Sequence, residues 1–225
     1  MEWKELCTAQ QRELLELHLK LVLEANEHIN LTRIDDEESA EVLHIEDSLV
    51  GLDEINASPE GELCDLGSGA GYPGIPLAVL SGRPTTLMDA KLKKVEVLKS
   101  IVAELGLSDQ ITCIAGQSEE ISREKKCSFA VVTARAVAKL SVLMELANPL
   151  LQEKGHLVCY KSHVADEELD HAKSLTRTLG MKLISDRQAT LSDGETFRRI
   201  IVFEKCGYPM IKLPRHVGFA RKKPL

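Results

Sequence analysis

An acid followed by three alternating glycines, Asp65-Leu66-Gly67-Ser68-Gly69-Ala70-Gly71, is the stretch of this 225-residue chain best suited to chemistry. Glycine at 67, 69 and 71 permits positive φ and close approach of a ligand to the backbone. The loop leaves the short apolar run Leu63-Cys64-Asp65-Leu66, and the carboxyl end of a first parallel strand is a ligand position in open α/β sheets. A merely tight strand-to-helix turn is the plain alternative, and three alternating glycines after an acid weigh against it. Two ligands compete for the loop. Read from Gly69, the segment Gly69-Ala70-Gly71-Tyr72-Pro73-Gly74 also satisfies G-x-G-x-x-G, a dinucleotide pattern. Against a dinucleotide, the Asp65 carboxylate would repel a pyrophosphate, whereas it suits the ammonium and sulfonium region of S-adenosylmethionine. Pro73 and Pro76 also remove two N–H donors that a pyrophosphate would use.

Three later positions fit an adenosine cofactor. Asp89 closes the second strand, where an acid accepts hydrogen bonds from ribose hydroxyls; both candidate cofactors carry such a ribose, and a helix N-cap is the competing role. The loop Gly116-Gln117-Ser118-Glu119-Glu120 follows the third strand and would lie along the adenine, although a solvated acidic helix start would read the same. Arg135 follows the apolar strand ending Val131-Val132-Thr133-Ala134 and is a candidate for the cofactor carboxylate or the methyl acceptor, or else for a structural ion pair. The Asp/Asn-Pro-Pro-aromatic stretch frequent in amino-group methyltransferases is missing here.

The elements that must position these residues follow from hydrophobic periodicity. Residues 4–28 read as a helix with Leu6, Leu14, Leu17, Leu21 and Ala25 on one face, Asn30-Leu31-Thr32-Arg33 interrupts it, and a second helix runs from about 36 to 55. Ser58-Pro59-Glu60-Gly61 is a break. Strands are then expected at 62–66, 85–88, 111–115, 129–133 and 156–160, alternating with helices at 74–80, 91–105, 137–151 and 165–179. Two last strands, 181–186 and 198–205, have no helix between them and should pair antiparallel. The fold class is therefore α/β: a Rossmann-like, mostly parallel seven-stranded sheet with an antiparallel last strand and an N-terminal helical extension, as in class I S-adenosylmethionine-dependent methyltransferases. The organisation is a helical cap (1–60), a catalytic domain (61–205) and a basic tail (206–225).

Bulk composition is that of an ordinary globular domain, with 44% apolar residues and a net charge of −7. No apolar run approaches the ~18 residues of a membrane helix, and the acidic N-terminus lacks signal-peptide character, so a cytoplasmic monomer is expected. The six cysteines show no C-x-x-C spacing and no neighbouring histidine cluster; reduced, buried thiols and no metal are expected. Charge is uneven. Residues 35–65 hold no Lys or Arg, whereas from Lys205 onward there are six basic residues and no acid. Such a tail is either solvated or a local phosphate-binding surface.

Further segments carry a resemblance. Asn30-Leu31-Thr32-Arg33-Ile34, His44-Ile45-Glu46-Asp47-Ser48-Leu49, the stretch from Asp65 through Leu77, Thr133-Ala134-Arg135-Ala136, Pro149-Leu150-Leu151, Pro214-Arg215-His216-Val217-Gly218 and Lys223-Pro224-Leu225 together resemble the bacterial ribosomal RNA small-subunit methyltransferase G family, also called glucose-inhibited division protein B. The resemblance implies N7 methylation of one guanine in 16S rRNA, within a ribosomal particle. It implies cofactor contacts at Gly67, Tyr72, Ser118, Glu119 and Arg135, with Asp89 and Ala90 near the ribose and Asp65 and Gly69 in the same loop system. Departures are Gln117, where the family often has Arg, and Ser162, where it often has Gly. Lys161, Arg215, Arg221, Lys222 and Lys223 are the candidates for RNA phosphates. No acid/base residue is expected, because guanine N7 carries a lone pair and no proton; His18 and His44 are read as structural. A small-molecule methyltransferase and a NAD-binding oxidoreductase remain the alternatives.

Overall fold

The computed structural model describes residues 3–32, 34 and 37–225, and the side chains of all of these except Glu37 and Glu38. Arg33 and Asp36, at the start of the second expected helix, lie outside the described residues. A 3-10 turn (Trp3–Leu6) precedes helix α1 (Ala9–Asn26). Thr8 caps α1 in a capping box: its side chain accepts from the Gln11 amide while the Gln11 side chain accepts from the Thr8 amide. The buried face of α1 is Leu15, His18, Leu19, Leu21 and Val22. The stripe expected from Leu14, Leu17 and Ala25 is thus only half-buried, and Leu6 is exposed. Adjacent leucines at 14 and 15 make both phases readable from sequence, and the phase that brings His18 inward prevails.

The second expected helix is broken into pieces: α2 (Glu37–Ala40), a π-helical turn (Glu41–Glu46), α3 (Asp47–Leu49) and α4 (Leu52–Asn56). The break at Gly51 has a packing cause. Tyr160 Oη donates to Ser48 O at 2.8 Å, and a Cβ on Gly51 would sit 2.2 Å from that oxygen. Arg187 also donates to the Val50 carbonyl. Side chains from the sheet therefore take the carbonyls that a continuous helix would use.

From β1 (Leu63–Leu66) the chain alternates through α5 (Gly74–Ser81), β2 (Thr85–Asp89), α6 (Leu92–Glu104), β3 (Ile111–Ala115), α7 (Ser118–Glu124), β4 (Phe129–Arg135), α8 (Leu140–Ala147), β5 (Leu151–Lys161), α9 (Asp166–Ser174) and α10 (Thr176–Leu179). The strands β6 (Met181–Thr190) and β7 (Phe197–Lys205) follow, and α11 (Phe219–Lys222) lies in the tail. The sheet order is β3-β2-β1-β4-β5-β7-β6, parallel except that β7 runs antiparallel to both β5 and β6. The last strand therefore inserts beside β5 and leaves β6 at the edge. Burial records this: β1 is buried at every residue, whereas β6 alternates between buried or half-buried and exposed along its length. β5 starts five residues before its expected onset at 156, with a register shift opposite Phe129/Val131.

The N-terminal helices have no core of their own. Leu15, Leu19, Val22, Ile45 and Leu49 pack in one apolar cluster with Ile75, Ala78, Leu87, Leu98 and Ile101, which belong to the sheet and its helices. The basic tail is likewise docked: Ile211, Leu213 and Leu225 pack on the core cluster around α8, and Ala220 is buried within it. Cys7, Cys64 and Cys159 are buried, Cys113 is half-buried, and Cys127 and Cys206 are exposed, which corrects the expectation that all six would be inside.

Candidate functional site

The strand order reverses between β1 and β4, and the crevice at their carboxyl ends is where an open α/β sheet binds ligands. The glycine loop fills one side of it. Gly67, Gly69 and Gly71 take φ of +80°, +58° and +91°, the left-handed conformation that the spacing anticipated. The loop is pinned to β2: the amides of Gly67 and Ser68 both donate to Met88 O, at 2.8 and 3.0 Å, and Ser68 Oγ accepts from the Met88 amide. A Cβ on Gly67 would lie 2.7 Å from a Val137 methyl, so the segment after β4 closes on the loop.

Asp65 and Asp89 brace this loop from two sides. Asp65, 1% exposed, accepts from Thr133 Oγ1 at 2.9 Å and from the Gly74 amide at 3.1 Å. Thr133 is its register partner on β4. Burial pushes the Asp65 carboxyl up to about 6, against the pull of the Thr133 and Gly74 hydrogen bonds and of Arg135. Asp65 thus holds the first turn of α5 to the sheet, each of its oxygens taking one of these bonds. Asp89 accepts from the Gly69 amide at 3.1 Å and the Lys91 amide at 2.8 Å, so it serves as loop brace and turn cap together. Each of its oxygens retains a further acceptor position. Ala90 beside it is exposed.

Replacing Asp65 by alanine leaves two buried donors without an acceptor, so a stability loss of about 2 kcal/mol is expected in urea denaturation. Asp65→Asn should lose less, because its oxygen can serve Gly74 while its amide donates to Thr133 Oγ1, which can then donate to Cys64 O. An alanine variant as stable as the parent would refute the bracing role.

Tyr72, expected at the cofactor, is buried at the end of the loop between two imidazoles. His18 stacks on it with centroids 4.3 Å apart, and His44 on it at 4.5 Å with planes 7° apart. His18 Nε2 lies 3.0 Å from Ala70 O, which requires that nitrogen to be the donor, and His44 Nε2 lies 3.1 Å from Thr32 Oγ1. Burial drives His18 down to about 3 and His44 to about 4. The stack is therefore neutral at pH 7 and joins the N-terminal layer to the glycine loop.

The Arg135 guanidinium lies 5.7 Å from the Tyr72 ring centroid. Arg135 Nη1 donates to Asp47 Oδ2 at 2.6 Å and Leu43 O at 3.0 Å. Asp47, 1% exposed, also accepts from Arg198 at 2.6 and 3.2 Å. Sequence reading named neither Asp47 as a partner of Arg135 nor Arg198 at all. The one sequence signal was that Asp47 falls in an acid-rich stretch without a local cation. Two arginines on one carboxylate leave the centre net positive. They line a cleft of about 360 Å³ together with His44, Ala136, Lys161 and His163, at the carboxyl ends of β4 and β5. Ala136 holds a φ of +57°, a strained backbone placed where the chain turns out of β4 into this cleft.

A second, tighter pocket of about 50 Å³ runs from Gly67 past Asp89 and Ala90 to Gln117, Ser118 and Glu119. These are the residues expected along ribose and adenine, brought together from three βα loops. Ser118 and Glu119 are both buried, and the pocket's outer rim is Arg221. The five expected RNA residues divide. Lys161 lines the cleft, with Nζ 2.9 Å from Glu168. Arg215 is turned inward onto the buried Glu145, at 2.7 and 2.6 Å. Lys222 and Lys223 are exposed on the tail, and Arg221 donates to Val137 O at the pocket rim. No group of acidic, histidine and cysteine side chains suited to a metal occurs among the described residues, and none of the described helices is long and apolar enough to cross a membrane.

The sequence profile described as rRNA small subunit methyltransferase G matches residues 11–191. The chain belongs to that family. It is 38% identical over 223 residues to the ribosomal RNA small subunit methyltransferase G of Lactobacillus helveticus (strain DPC 4571), covering 97% of this chain and 92% of that one. To the protein of the same name from Alkaliphilus metalliredigens (strain QYMF) it is 36% identical over 208 residues, covering 91% and 87%. Among solved structures, geranyl diphosphate C-methyltransferase from Streptomyces coelicolor A3(2), in complex with Mg2+, geranyl diphosphate and S-adenosyl-L-homocysteine, superposes with a TM-score of 0.53 at 12% identity, over 69% of this chain and 78% of that one. A geranyl diphosphate methyltransferase in complex with SAM gives 0.55 at 14% identity, over 70% and 84%. At such identities the likeness is one of fold: the sheet is that of the class I methyltransferases. Members of the methyltransferase G family are rRNA methyltransferases by name.

Proposed function

We propose that this member of the methyltransferase G family transfers a methyl group from S-adenosyl-L-methionine to N7 of one guanine in 16S ribosomal RNA. The observation that carries the reading is the adjacency of two pockets, which meet where Ala136 lines one and its neighbour Val137 lines the other. Gly67, Asp89 and Glu119 line one pocket, Arg135 and Arg198 line the cationic cleft, and Arg135 lies over Tyr72 at the end of the glycine loop. Gly67, Gly69, Tyr72, Asp89, Ala90, Ser118 and Glu119 would hold the cofactor, with Asp65 setting the loop. The open acceptor positions of Asp89 suit ribose hydroxyls, and a Cβ on Gly69 would meet only the Gly67 carbonyl, at 4.0 Å, so the loop offers backbone to a ligand.

S-adenosyl-L-methionine bound there supplies a sulfonium methyl. Guanine N7 offers its lone pair to that carbon as the sulfur–carbon bond breaks, the electron pair stays with sulfur, and the ring takes the positive charge. No proton moves, so no residue has to act as a base. His44, at the cleft wall, is held neutral by its burial and serves packing. The chain's contribution is alignment and exclusion of water. Arg135 and Arg198 attract the anionic acceptor, and Lys161, Lys222 and Lys223 would contact phosphates. With a net charge of −7 over the whole chain, naked RNA is a poor partner, and a small-subunit ribosomal particle that presents the base is the better substrate.

Mass mapping of methylated nucleotides in 16S rRNA from a strain lacking this gene tests the assignment. One N7-methylguanine should vanish and return on complementation. Retention of every N7-methylguanine would overturn it.

A further inference from the structure

The C-terminal segment does not project into solvent as a basic tail. Four contacts tie it to the body of the protein, two of them at Glu119 and Val137, which line the tight pocket. Gly218 donates its amide to Glu119 Oε1 at 2.8 Å, and Arg221 Nη1 donates to Val137 O at 3.1 Å. Arg215 forms a two-pronged ion pair with Glu145, which is 3% exposed, and also donates to Lys223 O at 2.9 Å. His171 Nε2 lies 2.7 Å from Leu225 O. Beneath these bonds Ala220 is 1% exposed. The segment is therefore a strap, anchored at both ends and crossing the residues that face an adenine.

The pocket under the strap is lined by Gly67 and Asp89 on the sheet side and by Val137 and Arg221 on the other. Two of its walls, Gly67 on the pinned loop and Asp89 on β2, are fixed by sheet and loop hydrogen bonds. The strap is held by side-chain contacts, by the Gly218 amide on the Glu119 carboxylate of α7 and by its apolar residues packed on the core. Its inward face presents a planar guanidinium, which stacks well on an aromatic ring and does not compete with the hydrogen bonds at the ring's edge.

Resting on the cofactor reading above, we propose that residues 213–225 are a strap lying against the cofactor pocket, with Arg221 stacked on the adenosine as a cofactor-positioning residue instead of an RNA contact. Glu119 is the latch: its carboxylate holds the Gly218 amide and so reports to the strap whether the adenine loop is in place. This moves Arg221 from the RNA-binding group expected from sequence to the cofactor pocket, and gives Arg215 the role of hinge pin.

The test uses the full-length protein without RNA. Titration calorimetry with S-adenosyl-L-methionine and stopped-flow displacement of S-adenosyl-L-homocysteine are run on the parent, Arg221→Ala and Arg221→Lys. Arg221 is exposed and its one hydrogen bond is peripheral, so both variants should fold, as urea denaturation checks. Arg221→Ala should bind at least tenfold more weakly, mostly through faster dissociation. Arg221→Lys, which keeps the charge and loses the plane, should recover less than half of that on a logarithmic scale. Affinity for small-subunit particles, measured without cofactor, should stay within twofold. If the parent binds and Arg221→Ala binds within twofold of it, the strap is overturned while the cofactor reading stands. If Arg221→Ala instead weakens particle binding alone, the residue is an RNA contact and the proposal is equally overturned. If the parent itself does not bind S-adenosyl-L-methionine, the cofactor reading fails first.

Discussion

Acidifying the protein from pH 7 to pH 4 should destabilise it by roughly 4 kcal/mol and release the N-terminal helices from the glycine loop. His18 and His44 sit against Tyr72 with pKa values driven down to about 3 and about 4. Between those values and the ordinary 6.5, the unfolded chain binds protons that the folded chain refuses. Their contribution is therefore complete above pH 6.5 and is lost as pH falls. At about 1.4 kcal/mol for each pH unit of displacement, the fully buried His18 alone accounts for about 5 kcal/mol over its whole range. Asp65 works in the opposite sense. Its carboxyl is raised to about 6, so its contribution is complete below pH 3.8 and is lost as pH rises to 6. That partial offset, about 3 kcal/mol, leaves the histidines dominant across pH 4 to 6.5. Trp3 is the chain's single tryptophan, buried in the N-terminal layer with its Nε1 donating to Glu41, so its fluorescence reports undocking directly. Urea midpoints that do not move between pH 7 and 4 would show that the imidazoles protonate without penalty. A His18→Gln, His44→Gln double variant should lose the acid sensitivity whatever its absolute stability.

Removing the Asp47 carboxylate should be the most damaging single change in the acceptor cleft. Its two oxygens receive three short bonds from Arg135 and Arg198, both largely shielded from solvent. Asp47→Ala strands two guanidinium groups with no counter-charge, a situation that costs about 3 kcal/mol or more. Arg135 also loses the contact that holds it over Tyr72. We expect methyl transfer to a small-subunit particle to drop at least a hundredfold in single-turnover assays, with cofactor affinity falling far less. Asp47→Asn keeps one acceptor and the shape, and should fall between. Transfer at near-parental rate in a folded Asp47→Ala protein would show that Arg135 and Arg198 need no common anchor.

The parts of this protein that were legible in its sequence share one property: each depends on residues close together in the chain. The strand–helix alternation, the positive-φ glycines at 67, 69 and 71, and Asp89 at the end of β2 are local patterns, and local sterics and periodicity decide them. The antiparallel close could be read because no helix separates β6 from β7. What was not legible depends on pairs far apart. The phase of α1 turned on His18 meeting Ala70, the helix break at Gly51 turned on Tyr160, and Asp47 found its arginines 88 and 151 positions downstream. Sequence showed that the tail was basic, but a run of charge says nothing about which carboxylate will face it. Only the packed structure turned Arg215 onto Glu145, set Gly218 on Glu119 and brought Arg221 to the pocket of Gly67, Asp89 and Glu119. The sequence by itself determined the sheet, the loop and the family. Tertiary structure decided which charges neutralise one another and which are left to meet a ligand, because that depends on which groups burial brings together.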